Sequence, residues 1–391
     1  MKLTKIAIVV LIALTAVIAH GQKETTSMDD LHEMGEFKFD GDLVVLPLTA
    51  KGGHPKVLVD LGEGGTLPFI VDTGASVNVI DSAIAEKMAY EVVGETEIGV
   101  PGGVQIPGKI IRIPKVHVGD AAILNAEFVV MDINGFSMGT MQGVLGLRLF
   151  EQYLLSFDLS GGTISVAKGR LYADSAGAMP YKVVGDKISL EVDVAGITVP
   201  SHIDTGSMGE FMFPIEIMEL LPLKTAPQTG AQAKLVGGAR DITFAQLDGD
   251  INFAGMQFDN PNLAFMDPAP GAGNIGSGIF VDYVMTIDQK NHLISFTKPE
   301  GHPAVTQSDK PRRLGLGFRG VPGGSSWVVS VVSPGSLASN AGIMAGDELV
   351  SLNGVDVAEY DMAKFGELLK SSTPLEFVFK REGTPYNTEI E

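Results

Sequence analysis

The sequence predicts a mainly β protein: two similar β-rich lobes enclosing one cleft, then a smaller β-rich α+β domain. Three observations predict it. The stretch from Phe37 to Lys298 repeats itself once, with a period of about 130 residues. Within each copy, short apolar stretches are separated by Gly and Pro, and the chain holds 48 Gly, which suits tight turns and short strands. Beyond Lys298 comes a polar segment with Pro299, Pro303 and Pro311, and the unit that follows is unrelated to the repeat.

The repeat rests on specific matches. L-P-F-I-V-D-T-G-A-S (Leu67 to Ser76) parallels V-P-S-H-I-D-T-G-S-M (Val199 to Met208). Asn125 and Met131-Asp132 parallel Asn260 and Met266-Asp267. The segment Gly143 to Asp158 parallels Gly273 to Asp288, with Gly146, Phe150, Tyr153 and Asp158 meeting Gly276, Phe280, Tyr283 and Asp288. Offsets that drift by only a few residues indicate small loop insertions between copies of one unit. Each copy reads as strands, for example Lys56 to Leu61, Ile110 to Val118 and Ala126 to Met131. A short helix is expected after each D-T-G. Asp81 or Ser82 caps the first, which runs to about Met88; Pro214 takes the first helical position of the second, before Ile215 to Leu221. The expected division is 37–170 for lobe 1, 180–298 for lobe 2, 299–313 for a linker and 314–391 for the last domain.

Formal net charge is −19 and basic runs are absent, so nucleic acid is not an expected partner. No cysteine is present, which removes disulfides, thiol nucleophiles and thiolate metal sites. Lys2 and Lys5 precede an apolar run from Ile6 to Ala19. That run is short for a bilayer span and suits a signal peptide over residues 1–21, cleaved after Ala19 or Gly21. Export to the periplasm or outside the cell is therefore expected, with no stable membrane span once the signal is removed. An uncleaved anchor is the competing reading.

The chemistry lies in the two D-T-G triplets, at Asp72 and Asp204. One triplet alone reads as turn capping by an Asp side chain. Two at equivalent places in a duplicated unit bring both carboxylates to one cleft if the copies pack about a pseudo-two-fold axis. Carboxylates about 3 Å apart do not both ionise easily and share a proton. One is then a general base on a water, and the other a general acid toward a peptide carbonyl.

These motifs resemble those of clan AA aspartic peptidases, the retropepsin and pepsin group: V-D-T-G-A-S is similar to the retropepsin type and I-D-T-G-S to the pepsin type. Val144 to Gly146 and Asn274 to Gly276 resemble the hydrophobic-hydrophobic-Gly element behind each active-site loop. The resemblance implies a bilobal acid-protease fold with about six or seven strands per lobe, peptide or protein substrates, and no metal or other cofactor. By it, Asp72 and Asp204 are catalytic, Thr73 and Thr205 brace the pair, and Gly74 and Gly206 shape the loops. Ser207, which has Ala75 as its counterpart, offers a hydroxyl beside Asp204 alone. On that ground Asp204 is the more readily ionised partner. Asn274 stands where a hydrophobic residue is usual. Gly99 to Gly108 and Thr229 to Arg240 occupy flap positions without the tyrosine of a pepsin flap, so a flap and a plain surface hairpin are equally open. Both lobes lie in one chain, so a monomer suffices for the site.

G-A-G-N-I-G (Gly271 to Gly276) satisfies a dinucleotide pattern but lies before a strand-like segment, which argues against a nucleotide. His202 reads as a strand-surface residue in preference to a cleft residue, and Trp327 as core. The last unit resembles a PDZ domain. Gly315-Leu316-Gly317-Phe318 stands at the carboxylate-binding loop, and Ala341-Gly342, Gly346-Asp347 and Asn353-Gly354 fit the central pattern. A helix over Asp361 to Lys370 and a strand over Leu375 to Lys380 complete it, with Phe365 and Leu368 lining either a pocket or the core. The resemblance implies capture of a protein C-terminus or extended peptide by backbone N–H groups and strand addition. Two alternatives stay open: an inactive peptide-binding scaffold, and a regulatory peptidase with a single partner substrate.

Overall fold

The computed structural model describes residues 9–10, 34–50, 54–88, 90–100, 104–133, 141–235, 238–266, 272–298, 314–319, 327–332, 335–360, 368 and 373–390. The signal segment (apart from 9–10), the 299–313 linker and Phe365 lie outside these residues, as does the Asp361–Lys370 helix apart from Leu368.

Two large sheets and one shared sheet make up the repeated region. The lobe 1 sheet has eight strands, and the lobe 2 sheet eleven, counting Val9–Val10. The expected six or seven strands per lobe are exceeded in both sheets even before the shared sheet is counted, and each lobe extends a long hairpin. These are Glu91–Val100 with Val104–Val118, and Gln228–Leu235 with Gly238–Gln246. The hairpins carry the two flap-position segments, whose tips, 101–103 and 236–237, are not among the described residues.

The repeat reappears in backbone detail. Asn125 and Asn260, equivalent by sequence, both adopt left-handed backbone, with φ of 49° and 45°. Asn tolerates that conformation better than most residues. Phe150 and Phe280 are both fully buried. Behind each D-T-G, the strand carrying the Asp pairs in parallel with the later Gly-rich strand, so that Asp72 meets Gly146 and Asp204 meets Gly276. A Cβ on Gly146 would lie 2.7 Å from the Val77 carbonyl oxygen, and one on Gly276 would lie 2.3 Å from that of Gly209. Only glycine permits these approaches.

The third sheet was not foreseen. Its order is Ala178–Pro180, Leu293–Thr297, Val284–Asp288, Leu154–Asp158, Thr163–Ala167, Leu43–Pro47: three strands from lobe 1, two from lobe 2 and Ala178–Pro180 at the boundary between them. At its centre Leu154–Asp158 and Val284–Asp288 run antiparallel, with Ser156 facing its own sequence equivalent Thr286. Their hydroxyls lie 2.8 Å apart. Equivalent residues meet only on a symmetry axis, so this pair marks the pseudo-two-fold.

Two helix expectations are corrected. The first helix is only Ser82–Ala85, with Asp81 as N-cap accepting from the Ala83 N–H at 3.0 Å. The second is a 3-10 helix, Ile215–Leu220, and Pro214 is its N-cap, not its first turn. Pro214 also ends the strand Phe211–Pro214, and its ψ of 140° lies outside helical space.

The last domain has its own core, with Trp327, Phe377 and Phe379 buried. Its main sheet runs Leu316–Arg319, Trp327–Val332, Glu348–Leu352, Leu375–Arg381, Thr384–Ile390. Asn353-Gly354 has positive φ at both residues, 50° and 76°, the geometry of a two-residue type I′ hairpin turn. Asp347 is buried and accepts from Arg381 Nε at 2.8 Å, the Met344 N–H at 2.7 Å and Tyr386 Oη–H at 2.5 Å.

Candidate active site

Asp72 ends the strand Thr66–Asp72 and Asp204 ends Ile197–Asp204. Both are fully buried. Each following Thr reaches into the other lobe. Thr73 Oγ1 donates to the Ile203 carbonyl and Thr205 Oγ1 to the Val71 carbonyl, both at 2.8 Å. In return the Thr73 N–H donates to Thr205 Oγ1 and the Thr205 N–H to Thr73 Oγ1, both at 3.0 Å. Four reciprocal bonds between equivalent residues lock the two loops on the same axis that Ser156 and Thr286 mark. Such a fully satisfied network is rigid, and losing one member strands a buried partner.

The glycines act through close approach. Neither Gly74 nor Gly206 has positive φ, so turn conformation does not demand them. A Cβ on Gly74 would lie 2.7 Å from Asp204 Oδ1, and one on Gly206 would lie 2.4 Å from Asp72 Oδ2. Each loop thus presents bare backbone to the opposite carboxylate. The Gly74 and Gly206 N–H groups both donate to Asp72 Oδ1, at 2.7 and 3.1 Å.

The two carboxyl groups are not equivalent. Asp72 is raised well above the usual carboxylate range, by burial first and by the neighbouring Asp204 charge second. Its Oδ2 accepts no hydrogen bond from the described residues. Asp204 is raised as well, again by burial first, although the Lys187 charge and hydrogen bonds from Asn274, Asp72 and the Ser207 backbone hold it down in part. The Asn274 amide donates to Asp204 Oδ2 at 2.6 Å, and the Ser207 N–H to Oδ1 at 3.1 Å.

Ser207 therefore meets Asp204 through its backbone, and Asn274 supplies the side-chain support expected of the Ser207 hydroxyl. The residue departing from the usual hydrophobic pattern is the one that holds the second carboxylate.

His202 is corrected as well. It is 7% exposed, not a surface residue, and burial followed by the Lys187 charge lowers it to about 4. Lys187 was not singled out from sequence. It is 5% exposed, and burial lowers its pKa while Asp204 and Asp72 raise it. In the sequence it is one charged letter, 17 places before Asp204, and only strand pairing reveals its setting.

In the last domain, Gly315 has a φ of +69° and leads into Leu316–Arg319, which stands at the end of the sheet order. Among the described residues this strand pairs only with Trp327–Val332, through a bulge between Gly317 and Phe318. Leu316, Phe318 and Leu368 are half-buried against the domain core.

Residues 57–149 match the model of the aspartyl protease family, and residues 328–381 match that of the PDZ domain. No curated protein matches the chain. The first match contains Asp72 and its supporting strands; Asp204 lies beyond it, in the second copy of the same unit. The chain thus carries an aspartyl protease-like domain and a PDZ domain.

Proposed function

We propose that the chain is an aspartic endopeptidase in which Asp72 and Asp204 activate one water for peptide hydrolysis. The observation that carries this is the pair of fully buried carboxyl groups with unequal support, clamped across the pseudo-two-fold by Thr73 and Thr205. A carboxyl kept protonated beside one kept ionised is the arrangement that divides acid from base. Asp204, supported by Asn274 and the Ser207 N–H, is the general base on the water. Asp72, raised by burial and by its neighbour's charge, donates a proton to the scissile carbonyl oxygen. The roles then reverse to protonate the leaving amine. Positioned proton transfer of this kind contributes roughly 10²- to 10⁴-fold.

The two long hairpins suit closure over an extended substrate. The edge strand Leu316–Arg319, entered through Gly315, suits addition of a peptide strand, with N–H groups of Gly315 to Phe318 at a C-terminal carboxylate. The charged and apolar N-terminal segment supports export. No described helix is long and apolar enough to cross a membrane.

The test is cleavage of an unfolded protein substrate between about pH 4 and 7, comparing wild type with Asp72→Asn and Asp204→Asn. Both variants should fold and both should lose activity. Activity surviving either substitution overturns the shared dyad. Inactive wild type leaves a scaffold or a single-substrate enzyme.

A further inference from the structure

The dyad is not the only buried ionisable feature at the junction. Lys187 opens the strand Lys187–Val194 directly after a tight turn. That turn, Gly185-Asp186, has φ of 56° and 62°, the type I′ geometry that fixes hairpin register. The register pairs Val184 with Lys187. On its other side the strand pairs with Ile197–Asp204, matching Ser189 to His202. That ladder stops at Ser189 and His202, two residues short of Lys187 on one strand and of Asp204 on the other. Side chains two apart on a strand share a face, so Lys187, Ser189, His202 and Asp204 lie on one face.

We propose that Lys187 is a positioning residue of the dyad, a buried ammonium whose charge balances the single negative charge of the pair and sets the pH range in which it works. This deepens the peptidase reading and rests on it.

Charge bookkeeping supports the assignment. Among the described residues the Lys187 side chain forms no ion pair and no hydrogen bond. A buried cation without such contacts is unstable unless nearby anions offset it. The ionisable groups that act on it are Asp204 and Asp72, and the histidine that feels its charge is His202. His202 is neutral above about pH 4 and Asn274 carries no charge. The buried group is therefore neutral overall when Lys187 is charged and the dyad holds one proton, which is the state catalysis needs. Removing the cation leaves a lone buried anion, and the pair takes its second proton at higher pH.

The experiment uses the full chain, wild type against Lys187→Met, with Lys187→Arg keeping the charge. Carbon-13 NMR of aspartate-labelled protein reads the carboxyl titrations, assigned with the Asn variants of Asp72 and Asp204. In Lys187→Met the dyad should titrate higher by about one unit or more. The acid limb of the cleavage profile should shift with it, cutting activity there about tenfold. Lys187→Arg should stay close to wild type. A folded Lys187→Met with an unmoved dyad titration overturns the proposal. If Lys187→Met does not fold, the wild-type Lys187 ε-carbon resonance decides instead: it should shift where the dyad titrates, and indifference overturns the proposal. The readouts separate the two ideas. Coupled titration without cleavage counts against general peptidase activity alone, and cleavage without coupling sinks the role of Lys187 alone.

Discussion

Single residues divide into those read from a motif and those visible only in three dimensions. Asp72, Asp204 and the adjacent Thr and Gly residues belong to the first group, because the triplet recurs at matching places in the repeat. The reason for the glycines still had to come from geometry. Gly206 is required by the Asp72 carboxylate 2.4 Å from where its Cβ would be, not by a left-handed backbone. Gly206→Ala should therefore displace the dyad while leaving the rest of lobe 2 in place. Its kcat should fall about 10²-fold, as displacements near 1 Å at a reacting centre do, with a circular dichroism spectrum like wild type; near-normal kcat would contradict the close-approach argument. Asn274, His202 and Lys187 belong to the second group. Each is a single polar letter in a strand pattern, and its role depends on which strand lies beside it.

At the scale of elements, strands were legible from Gly-punctuated apolar runs, and helices less so. Two residues of polar signal and a proline do not distinguish an α-turn from a 3-10 turn, and Pro214 serves as cap because a strand runs directly into it. In the PDZ domain, Gly346-Asp347 was legible as motif, but its partner Arg381 lies on a strand 34 residues later. Burial opposes ionisation of Asp347, and the bonds from Arg381, Tyr386 and the Met344 N–H outweigh it, holding the carboxyl below its usual range. A depressed folded pKa means this stabilisation is complete above the unfolded value near 4 and is lost as pH falls through the folded one. Trp327 is the chain's single tryptophan and sits in this core, so its fluorescence reports this domain. Asp347→Asn should lower the urea midpoint of that signal at pH 7, and the gap from wild type should narrow as the pH drops below 4. A gap constant with pH would show that the carboxylate charge is not the stabilising element.

For the whole molecule, the two lobes are held on one axis at two levels: the Thr73–Thr205 lock at the site and the Ser156–Thr286 contact in the shared sheet. The strand Leu154–Asp158 presents to lobe 2 an edge that its own copy could fill. An exposed strand edge of this kind seeks a partner, and antiparallel self-pairing centred on Ser156 obeys two-fold symmetry. Residues 34–170 expressed alone should dimerise through this strand, and Ser156→Pro, which removes a ladder donor, should weaken the dimer. Sedimentation velocity checks both, and a stable monomer of 34–170 would show that the sheet depends on lobe 2 sequence and not on the symmetric edge.

Sequence by itself determined the duplication, the β class, the dyad with its Thr and Gly neighbours, and the separate PDZ unit, because each is carried by local spacing or by a motif whose parts are contiguous. Only the tertiary structure decided how the lobes share a sheet, which residue supports Asp204, that His202 is buried, and that a lysine lies beside the pair. Those depend on register between strands far apart in the chain, and a shift of one residue sends every side chain to the opposite face.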